Sequence, residues 1–294
     1  MNLYERSLNY LFNHFGKVMP DSVLLRVRYR TVFHESLHLK NPQTFNEKIQ
    51  WLKLYDRNPE YHAMADKYAV RAYIGRVLGE KYLIPLLGVW QKAEDIDFKS
   101  LPDQFVLKCT HDSQSIVICH DKAKLDKEEA MRRLGKALKI DYSVLGREWA
   151  YHGIKPCIVA EELLTDESGD DLKDYKVFCF NGEPKFIQID YDRFKGHKRR
   201  LYTTDWKLME TKITYPDDTD LVMPKPVFLD ELLEISRKLS KDIPFLRVDC
   251  YITENQIYFG ELTFYPGCGF EPITPDTDDV LWGEWLKLPE RIKK

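Results

Sequence analysis

Residues 245–270 read FLRVDCYITENQIYFGELTFYPGCGF, and they decide the fold because they place two carboxylates and an arginine on one expected β-hairpin. Residues 245–252 alternate between faces, Glu254-Asn255-Gln256 supplies a turn, and 257–263 returns as the second strand. Counting outward from Asn255, Asp249 lies six residues before it and Glu261 six after, so the two read as cross-strand partners. Opposed like charges destabilise a sheet unless a cation compensates, and two oxygen ligands in this arrangement suit Mg²⁺ shared with substrate phosphates. Arg247, two residues before Asp249, shares its face and can meet an anion. The glycines of Tyr265-Pro266-Gly267-Cys268-Gly269 let backbone approach a ligand closely. Taken alone, two acids on a hairpin are most often a solvated face.

An R-x-D strand followed by Glu-Leu-Thr and a Pro-Gly turn resembles the metal-binding end of ATP-grasp carboxylate–amine ligases. The resemblance implies that Asp249 and Glu261 hold Mg²⁺ at the phosphates of ATP. It implies that Arg247 stabilises an acyl phosphate and the tetrahedral intermediate. Thr263 stands where a third ligand, usually Asn, is expected.

Length and composition set the bounds. A chain of 294 residues with 44% hydrophobic and 31% charged residues buries a full core, as one unit with subdomains. A net charge of −3 argues against a general nucleic-acid binder, which needs a basic surface. Six cysteines show no CxxC pair and mostly sit in apolar runs as small hydrophobes, which suits a reducing cytoplasm. No run of about eighteen apolar residues exists, so neither a spanning helix nor a signal peptide is expected.

The first 98 residues read as mostly helical. Leu3, Leu8, Leu11, Phe12 and Phe15 form an apolar stripe, and Asp21 after Pro20 reads as the cap of a second, Arg-rich helix. The first, amphipathic helix with this basic neighbour can rest peripherally on an anionic membrane, but its own polar face carries as much Asn as charge, which favours core packing. Thr44-Phe45-Asn46-Glu47 matches a capping box. The stretch LKNPQTFNEKIQWLKLYDRNPEY (residues 39–61) is similar to the N-terminal signature of the TupA-like branch of ATP-grasp proteins. Asp66-Lys67 reads as a helix start, and the resemblance gives Lys67 to the nucleotide phosphates.

LPDQFVLKCTHDSQSIVICHD (residues 101–121) reads as strand, loop and strand, with Lys108 on the opposite face from Phe105 and Leu107. The resemblance puts Lys108 at the α-phosphate and lets the loop, through Ser113 and Ser115, cover the others. Asp112 and Gln114 depart from the glycine-rich pattern, and an ordinary polar loop explains them as well. A charged helix is expected over 127–140. The apolar run into Glu161-Glu162-Leu163 resembles the adenine hinge, with either acid facing the base. DYKVFCFNGEPKF (residues 174–186) is a hairpin on an Asn-Gly turn, close to the TupA-like pattern, that turns Lys176 to the cleft. Lys176, Arg193 and Arg199 are the cations expected to meet phosphate and a carboxylate substrate. Helices are expected at 229–241 and in DDVLWGEWLKL near the end.

This order predicts an α+β architecture: a helical region at 1–98, a small lobe at 99–165 and a large lobe at 166–294 carrying the metal site, with ATP between the lobes. The implied activity is ligation through an acyl phosphate. It would join an amino acid or amino sugar, as the amine, to a uronic-acid carboxyl or other carboxylate acceptor in surface polysaccharide synthesis. Asp190-Tyr191-Asp192 mimics the D-x-D of metal-dependent glycosyltransferases, though no run of βαβ units surrounds it. A non-catalytic nucleotide-binding subunit is the other alternative.

Overall fold

Strand-forming residues collect into two antiparallel sheets. The smaller joins β1 (Leu86–Trp90), β2 (Phe105–Cys109), β3 (Ile116–Cys119) and β4 (Ile158–Glu161) in the order β1-β4-β2-β3. The larger joins β5 (Asp174–Phe180), β6 (Glu183–Tyr191), β7 (Lys198–Thr203), β9 (Phe245–Ile252) and β10 (Ile257–Thr263) in the order β10-β9-β5-β6-β7. β8 (Lys212–Ile213) and β11 (Ile273–Thr274) form a two-stranded ribbon. The protein is seen here in a computed structural model that describes residues 19–113, 115–165, 172–191, 196–215 and 223–290. The stripe Leu3 to Phe15, Gln114, Asp192 and Arg193 lie outside the described residues.

The mixture of helices and antiparallel sheets makes the protein α+β. Helices α1 (Asp21–Phe33), α2 (Phe45–Tyr55), α3 (Glu60–Ala65) and α4 (Val70–Val77) precede the first sheet. α5 (Lys127–Ala137), α6 (Tyr142–Gly146), α7 (Leu229–Ser240) and α8 (Asp276–Trp285) follow. The boundary expected at residue 98 falls inside the small sheet's unit, because β1 already pairs with β4. The early helices share one core with the large sheet, while Leu107, Cys109, Leu134 and Ile158 belong to a second core under α5. Phe45 packs edge-on against Phe245 and Trp282, tying α2 to the sheet and to α8. Burying such a ring contributes about 2–3 kcal/mol.

Local chemistry explains the ends of α2. Thr44 accepts from the Glu47 amide at 3.2 Å and Glu47 accepts from the Thr44 amide at 3.4 Å, completing the expected box. Asp21 does not cap α1: Pro20 takes that position, and Asp21 in the first turn pairs with Arg147 at 3.2 Å and Arg57 at 3.6 Å. The six cysteines carry no disulfide, and five are buried. Among the described residues no helix is long and apolar enough to cross a membrane.

After β10 the chain makes a tight 3₁₀ turn at Pro266–Gly269, with Gly267, Cys268 and Gly269 at φ 53°, 57° and 62°. α2 braces this turn: Gln50 Nε2 donates to the carbonyls of Cys268 (3.0 Å) and Gly269 (2.6 Å), and Lys53 Nζ to Cys268. A Cβ on Gly269 would stand 2.5 Å from Gln50 Nε2 and 2.6 Å from Ile49 Cγ2. Gly269→Ala is therefore expected to cost about 2 kcal/mol in urea unfolding, from strain at positive φ and overpacking. A loss below about 0.5 kcal/mol would mean that the turn is not fixed by α2.

Candidate active site

The hairpin β9–β10 sets the site. Asp249 and Glu261 are register partners, as counting from Asn255 requires, and Arg247 opposes Thr263. This depends on a bulge: residues 257–259 pair one position out of phase with 261–263, and Gly260 takes up the extra residue. Without it Gly260, not Glu261, would oppose Asp249. A Cβ there would lie 3.0 Å from the Asp249 carbonyl and 3.2 Å from the Tyr251 ring, so glycine lets the strands close at this point.

One guanidinium holds both acids. Arg247 grips Asp249 with two bonds of 2.7 and 2.6 Å, and its NH2 nitrogen reaches Glu261 at 3.4 Å and the Thr263 hydroxyl at 3.1 Å. Lys176 on β5, opposite Asp249 in register, donates to Asp249 at 3.1 Å and also to Asp174. Lys67 Nζ stands 3.7 Å from Glu261. Burial pushes the Asp249 carboxyl upward, against Arg247 and Lys176. Burial pushes Glu261 the same way, but Lys67, Arg247, Lys176 and Lys108 outweigh it and hold the carboxyl down at about 2.

The small sheet supplies the opposite wall. Lys108 on β2 pairs with Glu161 at the end of β4 at 2.6 Å, and Arg71 of α4 reaches the other Glu161 oxygen at 3.2 Å. Glu161 is buried between these cations while Glu162 is exposed, its amide bonded to the Pro85 carbonyl at 3.1 Å. Glu162 is the residue just past the end of β4, and both acids border the cavity. α4 starts at Val70, later than the expected start at Asp66-Lys67. The Lys67 amide is drawn instead to the Thr110 carbonyl (3.0 Å), and Asp66 caps the resulting turn by accepting from Tyr68 and Ala69.

The loop between β2 and β3 is braced by side chains. Asp112 accepts from the Ser115 hydroxyl at 2.6 Å, its carbonyl accepts from Lys67 Nζ, and Ser113 shares a 2.5 Å hydrogen bond with the Tyr142 hydroxyl. His111 bonds the Ile140 carbonyl at 3.1 Å. The Asp112 carboxylate is thus engaged within the loop.

Both walls line one cavity of about 680 Å³, a size ordinary for a small-molecule site. It brings together Lys67, Lys108, Ser113, Ser115, Glu161, Glu162, Leu163, Lys176, Asp249 and Glu261. Arg247 and Thr263 stand just behind, bonded to Asp249 and Glu261. Arg199 does not line the cavity. It lies buried, gripping Asp190 at 2.8 and 3.3 Å and Glu271 at 3.2 Å, because Asp190 and Arg199 are register partners on β6 and β7. Arg193 lies outside the described residues, so its expected role stands untested.

Among the lining or bracing residues that escaped the sequence reading are Asp174, Tyr251 and Arg71. Asp174 had a signal, since it precedes Lys176 by two and shares its face. Arg71 follows Lys67 by four, but a partner ninety residues away is not visible in local spacing.

A family model described as TupA-like ATPgrasp matches residues 47–287, and no curated protein matches the chain. Among solved structures it is similar to the D-alanine–D-alanine ligase of Bacillus anthracis: 16% identity, 69% of this chain and 57% of that one, TM-score 0.42. The Helicobacter pylori D-alanine–D-alanine ligase is 16% identical over 84% of this chain and 70% of that one, TM-score 0.41. The ATP-grasp ligase PsnB, complexed with minimal precursor, Mg and ADP, is 12% identical over 81% and 66%, TM-score 0.38. The chain spans little more than half the length of the first of these, and superpositions this loose transfer no residue role. The family match extends over well more than half of the chain and includes the β9–β10 hairpin, the end of β4 and both lysine-bearing walls: the chain belongs to the TupA-like ATP-grasp family.

Proposed function

We propose that the cleft binds Mg·ATP and joins a carboxylate to an amine through an acyl phosphate, as a C–N ligase. The observation that carries this is the convergence of Lys67, Lys108 and Lys176 with Asp249 and Glu261 on one cavity. A triphosphate needs several cations, and two carboxylates facing it would hold a metal between themselves and the phosphates. The residues fit Mg²⁺: two acids in register, with Thr263 Oγ1 at 3.4 Å from Glu261, offer hard oxygen ligands and leave other positions for phosphate oxygens. When bound, the metal supplies charge neutralisation at the transferring phosphoryl group.

At the other end the base rests against the hinge. Val106, Ile118, Leu163 and Leu164 supply apolar walls, and Glu162 and the strand-end backbone supply polar edge groups. A carboxylate does not react with an amine near neutral pH, because oxide is a poor leaving group. Transfer of the γ-phosphoryl to a carboxylate oxygen makes phosphate the leaving group instead. Catalysis of that transfer is mostly positioning and electrostatics, which Lys176, Lys67 and Arg247 are arranged to supply. No nucleophilic side chain is required. The substrates we propose are a uronic-acid carboxyl of a surface polysaccharide precursor and an amino acid or amino sugar. The protein would act in the cytoplasm or at the inner face of the membrane.

Lys108→Ala is expected to weaken ATP binding about tenfold or more by calorimetry, because it removes a phosphate cation and leaves Glu161 with Arg71 at only one of its two oxygens. Acceptor binding should change less; equal loss of both would make Lys108 a structural residue. The reaction itself is tested by incubation with ATP, Mg²⁺, an amine and a uronic-acid-bearing acceptor. ADP and phosphate should appear in proportion to amide, and esterifying the acceptor carboxyl should abolish both. Sugar transfer from a nucleotide sugar without ATP would establish the glycosyltransferase reading instead. That reading asks Asp190 to hold a metal at the site, whereas Asp190 is not among the residues that line the cavity.

A further inference from the structure

Past Lys176 the cavity wall carries an imidazole that phosphoryl transfer does not use. His197 lines the cavity together with Asp174, Lys176 and Asp249, and its side chain is 21% exposed. Three short contacts connect it to the carboxylate assigned to the metal: Asp249 to Lys176 at 3.1 Å, Lys176 to Asp190 at 3.9 Å, and Asp190 to His197 Nε2 at 3.5 Å. In the sheet order β10-β9-β5-β6-β7 the β9–β10 hairpin forms one side, Lys176 sits on the middle strand, and His197 is the residue before β7. The cavity therefore runs across the large sheet from Glu261 to His197. With the base on the small sheet and the phosphates at Lys67, Lys108 and Lys176, the stretch at His197 is left for a second substrate.

The imidazole is held from two sides. Its ring stacks on Tyr215 with centroids 3.8 Å apart, and its buried nitrogen, Nε2, faces Asp190 Oδ1. Asp190 is fixed in turn by Arg199 at 2.8 and 3.3 Å and by Gln188, which donates to both oxygens at 3.1 Å. Burial pushes the Asp190 carboxyl upward, but Lys176, Arg199 and His197 outweigh it and hold it well below the usual carboxylate range. An ionised carboxylate fixed against one ring nitrogen orients an imidazole and stabilises its protonated form, which is what a proton acceptor needs.

We propose that His197 takes a proton from the amine co-substrate as the amide forms, with Asp190 and Arg199 as positioning residues behind it, which rests on the ligase reading above. The incoming ammonium gives one proton to the imidazole, and the lone pair so freed makes the C–N bond. The acyl C–O bond breaks with its electron pair on phosphate, and a second nitrogen proton leaves with that phosphate. The imidazolium then returns its proton to solvent. Arg199, which does not line the cavity, thereby serves the reaction through Asp190.

The test compares two nucleophiles. Hydroxylamine is largely unprotonated near neutral pH and needs no base, whereas an amino acid carries an ammonium. Wild type and His197→Gln are incubated with ATP, Mg²⁺, D-glucuronate and either hydroxylamine or a mixture of the standard amino acids and D-glucosamine. The ratio of amide to hydroxamate should fall about a hundredfold in His197→Gln. In His197→Ala it should fall as far, and added imidazole should raise amide about tenfold without raising hydroxamate. A ratio equal to wild type in His197→Gln overturns the proposal, and if that variant does not fold the ratio in His197→Ala decides. A raised KM for glucuronate with an unchanged ratio would make His197 a binding residue for the acceptor and overturns it too. So does a lowered ratio that imidazole leaves unrestored, or a wild type that makes hydroxamate and no amide. No ATP-dependent hydroxamate from the wild type would instead sink the ligase reading itself.

Discussion

Glu261→Gln protein is expected to lose ATP turnover by about 10²–10³-fold while keeping its stability within about 1 kcal/mol of the parent. The substitution preserves volume and removes one of the two negative ligands. It leaves Arg247 with its two short bonds to Asp249, so no buried cation is abandoned. Asp249→Asn should abolish turnover to the same degree but cost about 3 kcal/mol in urea unfolding, because Arg247 and Lys176 both lose their shared partner in a buried setting. The pair of variants separates ligation of the metal from stability. Unchanged turnover in both would end the assignment of this hairpin as the metal site.

Arg247→Lys is expected to lower kcat about a hundredfold with nucleotide affinity held within a few-fold. The fork of Arg247 bridges Asp249, Glu261 and Thr263 at once, and a lysine offers neither the planar geometry nor the second nitrogen. Its proposed work is on the oxyanion that forms when the amine attacks, so the loss belongs in the rate and not in nucleotide binding. A variant with raised KM for ATP and an undiminished kcat would move Arg247 from the reaction to the binding of substrate.

Much of this site was legible in the chain, and the reasons differ from residue to residue. The hairpin reads from alternation and one turn, and counting from Asn255 pairs Asp249 with Glu261. That count succeeds only because the bulge at Gly260 shifts the register by one, which alternation does not announce. The Asn181-Gly182 turn reads equally well, since both residues take the positive φ that a tight hairpin needs. Arg199 was misplaced because its type and neighbourhood suit phosphate, while strand pairing sends it to Asp190. The Lys67 turn was taken for a helix start because its amide bonds to Thr110, a partner set by tertiary contact alone. Arg71 was missed because its partner Glu161 lies ninety residues on, at the end of a strand that local spacing does not connect to α4.

The departures of this chain from the glycine-rich loop also acquire a physical account. Asp112, Ser115, Ser113 and Tyr142 form a brace that holds the β2–β3 loop in place before any ligand arrives. A preordered loop costs less entropy on binding than a flexible one. Asp112 therefore need not repel phosphate, since its carboxylate is turned to Ser115.

The most direct measurement is a crystal structure with a non-hydrolysable ATP analogue and Mg²⁺. The account predicts the base between Val106, Ile118 and Leu163 at the end of β4, and the triphosphate among Lys67, Lys108 and Lys176. It predicts metal density between the carboxylates of Asp249 and Glu261. Nucleotide bound away from this cavity, or a metal held by Asp190 with Asp249 and Glu261 still closed on Arg247, would contradict it.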